Sequence, residues 1–157
     1  MQFIPLLLLT ACARAALPVS GSGPEVVFVS ATSETRILPG DRCHDVVVQQ
    51  VLSLVAKADE KLKLVVSPEL VREQLATASA FRVVFPEPRA VKNKAFDRTI
   101  MVREVVVPMS GRFGQGQTMV FYADPEYDDG NQFVLLDEGK GRGALEVCRP
   151  KEVHAPK

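Results

Sequence analysis

Two hydrophobic periods divide this chain, and their order limits what it can fold into. Between Asp45 and Ala76 the apolar residues recur at helical steps. From Phe81 onward they gather in short β-prone runs cut by Pro and Gly. Val47, Val51, Leu54, Val55, Ala58 and Leu62 share one face at three- and four-residue spacing, which predicts a helix over Asp45–Leu62. Asp41 or Asp45 would cap it, and Lys57, Lys61 and Lys63 suit its C-terminal dipole. Ser67-Pro68-Glu69 supplies a cap, a first-position Pro and an early acid for a second helix to about Ala76, with Leu70, Val71 and Leu75 inward.

The predicted strands are Val26–Val29, read as an edge, then Phe81–Phe85, Phe96–Val107, Thr118–Ala123 and Phe133–Leu136. Pro86-Glu87-Pro88 is expected to end the second, because proline cannot donate to a ladder. Neither alternating side of Phe96–Val107 is cleanly apolar, which predicts a bulge near Arg103-Glu104. Ala31–Asp41 reads as a polar loop, and Ala144–Cys148 as one helical turn. Short connections between strands favour an antiparallel meander. The fold class read from this pattern is α+β: an antiparallel sheet of about four strands in the second half, covered on one face by two helices from the first half.

Nineteen Lys and Arg balance nineteen Asp and Glu. A neutral chain has no overall electrostatic footprint for nucleic acid or for an anionic membrane. With no Trp and two Tyr, a carbohydrate platform of stacked rings is also disfavoured.

The N-terminus is of a different kind. Phe3 to Cys12 is an apolar run of about ten residues, half of what a spanning helix needs and the length of a signal-peptide core. Met1-Gln2-Phe3 lacks the basic residues usual ahead of such a run. Leu9-Thr10-Ala11-Cys12 resembles the lipobox of bacterial lipoproteins. That resemblance covers four residues and implies cleavage before Cys12 and lipidation of its thiol. Plain signal-peptidase cleavage is the rival, since Ala11-Cys12-Ala13 and Ala13-Arg14-Ala15 fit the small-x-small rule, and a buried N-terminal segment of a cytosolic protein is the third reading. The organisation read here is a signal peptide at 1–16, a Gly/Ser/Pro-rich tether at 17–24, one globular domain at 25–150 and a loose tail at 151–157.

With Cys12 set aside, Cys43 and Cys148 remain. In an oxidising compartment they are natural disulfide partners; the alternative is two separate free thiols. No Cys-x-x-Cys or His-x-x-x-His spacing supports zinc.

Two loops could carry function. Ser110–Gln117 holds three glycines and an arginine, but strand candidates flank it on both sides, so it reads as a hairpin connection and not a phosphate cradle. Arg112 and Phe113 at its tip are candidate partner contacts. Asp124, Glu126 and Asp128 offer alternating oxygen ligands for a hard cation such as calcium, although the EF-hand spacing fails. A polar turn explains the same residues. Cys43-His44-Asp45 are adjacent, and neighbours in sequence rarely converge on one reaction centre; His154 lies in the tail. Glu87 and Arg89 could pair with Arg98 or Glu104.

No catalytic residues and no resident cofactor are assigned on this reading. The expected function is an exported, lipid-anchored envelope protein of binding or accessory type, whose partners are the membrane and an envelope protein. The alternatives are a cation-dependent or hydrolase-like enzyme using the acidic 124–129 loop, and an inhibitor or immunity-type protein.

Overall fold

The computed structural model describes residues 23–61, 67–124, 132–135, 137 and 139–151. The strands are β1 (Glu25–Ser30), β2 (Ser33–Ile37), β3 (Glu60–Lys61), β4 (Ala80–Asn93), β5 (Arg98–Pro108), β6 (Thr118–Ala123) and β7 (Gln132–Leu135). The helices are α1 (Arg42–Lys57), α2 (Pro68–Thr77) and the short α3 (Gly143–Val147), which follows a 3₁₀ turn at Lys140–Arg142. The seven strands form one sheet in the order β2-β1-β4-β5-β6-β7-β3, with every neighbouring pair antiparallel. The α+β class and the antiparallel meander of the second half therefore stand as read.

The helices divide between the faces of the sheet; they do not share one. Val47, Val51, Leu54 and Val55 of α1 pack with Val26, Phe28, Phe81, Val83, Val105, Val107, Val120 and Tyr122, joined by Leu145 of α3. Ala80, Val106, Met119 and Phe121 point to the other face and meet Val71 of α2. The strands are apolar on both sides here, so α2 has a surface of its own to cover. Each fully buried aliphatic side chain contributes about 1.5–3 kcal/mol of transfer free energy.

α1 starts at Arg42, earlier than predicted, because Asp41 is the cap: its carboxylate accepts from the Cys43 N–H at 2.7 Å. It ends early, at Lys57. Buried Asn93 donates its amide to the Val55 and Ala58 carbonyls at 2.8 and 2.9 Å and accepts from Phe96 N–H at 2.9 Å. That side chain satisfies orphan carbonyls at the helix end. Lys61 consequently sits in β3, and Leu62 and Lys63 lie outside the described residues. α2 keeps the predicted start, with the Ser67 hydroxyl accepting from Leu70 N–H at 3.3 Å.

Two strand readings are corrected. β1 is not an edge, because Ser33–Ile37 of the expected loop pairs along it as the true edge. β4 does not stop at Pro86. The register shifts between Val84 and Arg89, placing both prolines in an irregular stretch where their missing N–H groups cost no ladder bond, and pairing resumes to Asn93. The predicted irregularity at Arg103-Glu104 is present opposite that stretch: the inward residues of β5 change from Ile100 and Val102 to Val105 and Val107. Arg82 donates through Nε and Nη2 to the two carboxylate oxygens of Glu104, each at 3.1 Å.

Candidate functional site

The β5–β6 connection, residues 109–117, is built from both ends. Ser79, between α2 and β4, accepts from Met109 N–H at 2.8 Å and from Ser110 N–H at 3.2 Å through its carbonyl. Its own N–H donates to Ser110 Oγ at 2.8 Å, and buried Gln74 donates to the Ser110 carbonyl at 3.1 Å. Gly111 follows at φ +73°, where a Cβ would stand 2.6 Å from that of Ala78. Both the backbone angle and the close approach call for glycine. The segment is a hairpin connection, as its flanking strands predict.

Its tip is arranged differently from the expectation. Phe113 is not an exposed contact. It is 7% exposed and meets Phe121 edge-on, with ring centres 5.3 Å apart and planes at 89°. An apolar ring beside an open sheet face gains more by folding back onto it than by staying in water. Arg112 remains exposed and lies over the Phe113 ring, 5.2 Å from its centre. Gln115 and Gly116 are exposed beside it. The loop thus presents polar groups held on a buried aromatic anchor.

A second fixed point supports the far end of this loop. Asp137 accepts through Oδ1 from Thr118 N–H at 3.3 Å and Gly139 N–H at 3.0 Å. Through Oδ2 it accepts from the Thr118 hydroxyl at 3.0 Å and from Gly141 N–H. Burial pushes this carboxyl upward. The hydrogen bonds from Gly141, Thr118 and Gly139 outweigh burial and hold it below the ordinary carboxylate range. Gln50 of α1 donates to the Gly141 carbonyl at 2.7 Å, and Arg142 donates to the Gly116 carbonyl at 3.0 Å. Asp137 went unread in the sequence. Its signal was an acid followed at two and four places by Gly139 and Gly141, whose bare backbones can close on one carboxylate.

At the other end of the strands lies the disulfide. Cys43 and Cys148 are bridged, with Cα atoms 5.4 Å apart across a sequence separation of 105. The bond ties the first turn of α1 to the end of α3 and points to an oxidising compartment. Beside it, a groove is lined by Ile37, Leu38, Val147 and Pro150. Leu38 is 67% and Val147 84% exposed. Buried His44 sits close by, with Nδ1 3.1 Å from Asp45 Oδ1 and Nε2 3.0 Å from the Pro24 carbonyl. Both neighbours are acceptors, so His44 fastens the point where the chain enters the domain. Cys43, His44 and Asp45 thus have structural work, with the thiol spent in the bridge.

Nothing matches this chain: no known protein family, no curated protein and no solved structure. Among the described residues no three His, Cys, Asp or Glu side chains gather as a cation site. Asp124 is exposed at the end of β6, whereas Glu126, Asp128 and the rest of that acidic run lie outside the described residues, as do Cys12 and His154. No described helix is long and apolar enough to cross a membrane.

Proposed function

We propose that this protein is exported and lipid-anchored at Cys12, and that it acts by binding an envelope protein through the 109–117 loop. The observation that carries the reading is the opposition of two ends. Glu25 of β1 is paired with Val84, and Val29 with Ala80, which in turn faces Pro108. The chain therefore enters the domain at one end of the strands, and the hairpin loop leaves Pro108 at the other. Four steps of β1, from Glu25 to Val29, separate them, about 13 Å at 3.3 Å per residue. A domain anchored through its N-terminal segment would hold Arg112, Gln115 and Gly116 away from the bilayer. The disulfide, the lipobox-like Leu9-Thr10-Ala11-Cys12 and the Gly/Ser/Pro-rich 17–24 stretch agree with such an address.

The test has two parts. Mass spectrometry of protein from native membranes should find an acylated N-terminal Cys12; an unmodified N-terminus at Arg14 or Ala16 refutes the anchor. A photo-crosslinker at position 115 should capture one envelope protein, and Arg112→Ala should reduce that capture severalfold. Equal capture from a crosslinker placed at Thr99, on the exposed outer part of β5, refutes the loop as the contact.

A further inference from the structure

The end of the domain where the chain enters carries two of the three large apolar side chains that stand exposed among the described residues. Leu38 lines one hollow with Gly23 and Pro24, and a second with Val147 and the Cys43–Cys148 bridge, so it forms the ridge between them. The strand beside it, β2, is the sheet edge, with Ser33 to Arg36 exposed. Arg36, Arg42 and Lys151 are exposed around the same end, as are the carboxylates of Asp45 and Glu146. Glu25 pairs with Arg36 at 3.2 Å, and the Asp41 carboxylate is engaged as the α1 cap.

We infer that this end is a membrane-docking face: Leu38 and Val147 enter the headgroup layer of an anionic bilayer, with Arg42 and Lys151 against the lipid phosphates. The inference rests on the anchored reading above and adds the orientation of the domain. From Cys12 to Gly23 the chain spans at most about 40 Å when fully extended. That reach keeps the surface at which the segment enters within about 40 Å of any bilayer holding Cys12. A linker this short raises the local concentration of that surface and the lipid to the millimolar order, so two apolar side chains and a few cations suffice where they would not for an untethered protein. Exposed apolar side chains beside cations match the boundary between headgroups and acyl chains. The polar loop at the opposite end has no such character.

The chain contains no Trp, which makes the test direct. Leu38→Trp is prepared in the full-length, natively processed protein and reconstituted in vesicles of phosphatidylethanolamine and phosphatidylglycerol with and without brominated acyl chains. Met101→Trp, on the exposed outer part of β5, is the control. Docking predicts that Trp at 38 shifts to the blue and is quenched by bromolipid at least twofold more than Trp at 101. Val147→Asp added to the first variant should remove the difference. Equal quenching of the two probes in a protein whose mass shows acylated Cys12 overturns the docking face and leaves the anchor standing. A blue-shifted but unquenched Trp at 38 means that a protein surface covers it, and also overturns the inference. Absence of acyl mass removes the anchor and the docking face together.

Discussion

The burial of Phe113 against the sheet makes a definite energetic prediction. Consider Phe113→Ala. A buried aromatic ring withdraws at least about 150 Å² from water, worth up to roughly 4 kcal/mol at 25 cal/mol per Å². Part of that area is already shielded in the unfolded chain, and alanine keeps some of it, which lowers the figure. The edge-on contact with Phe121 adds about 0.5–1.5 kcal/mol. Core Phe→Ala changes cost about 3–5 kcal/mol, and a loop residue can collapse more than one on a strand, so about 3 kcal/mol is expected here. That is a large fraction of the roughly 5–15 kcal/mol that holds a domain folded. In urea, followed by far-ultraviolet circular dichroism, a slope of about 2 kcal/mol per molar turns this into a midpoint about 1.5 M lower. Arg112→Ala removes only an exposed cation over the ring and should cost no more than about 1 kcal/mol. A Phe113→Ala midpoint within measurement error of the parent, at unchanged slope, would show that the ring contributes nothing to the sheet face.

Reduction of Cys43–Cys148 should lower the thermal midpoint, with a chain-entropy figure near 4–5 kcal/mol as the upper bound for so long a loop; thiols that react with alkylating reagent before reductant is added would contradict the bridge. Asp137 is held below its ordinary value when folded, so its stabilisation is complete above the unfolded carboxylate range and is lost as pH falls through the folded value. Asp137→Asn should destabilise at neutral pH, because an amide nitrogen cannot accept from the donors it would face, and should flatten the acid limb of a stability-against-pH curve; an unchanged limb argues against this role. Gly111→Ala should cost more than 1 kcal/mol through its backbone angle and the approach to Ala78, measured by the same urea titration. Asn93→Ala leaves the carbonyls of Val55 and Ala58 without their side-chain partner and should cost about 2–3 kcal/mol, read as a midpoint shift in that titration.

Elements with a local chemical cause were legible before the structure. Ser67-Pro68 announces its helix because a cap and a first-position proline act within one turn. Thr118–Ala123 reads as a strand because it is a short, nearly continuous apolar run, the pattern of a strand covered on both faces. β2 was not legible: Ser33-Glu34-Thr35-Arg36 has no apolar alternation, since an edge strand open to water needs none. The run of β4 through two prolines depends on a register shift shared with β5, a property of the pair and not of either segment. At the site, glycines at 111 and 116 with positive φ marked the hairpin correctly. The burial of Phe113 did not follow, because it depends on Phe121 and Val71 meeting it from elsewhere in the chain. Leu38 and Val147 were passed over for the same reason: single apolar residues in polar surroundings gain meaning only when the fold sets them side by side.

The strand order also fixes a sequence of events during synthesis. The N-terminal strands bracket a sheet whose middle is made later: Val26 waits for Val83, and Lys61 waits for Phe133. Until β4 has been made, β1 has only its hairpin partner β2, and a lone two-stranded hairpin is marginal in water. Cys43 finds its own partner only when residue 148 has emerged. The nascent chain is thus kept from closing prematurely by its own wiring, because its first strands lack their sheet neighbours until the second half has been made.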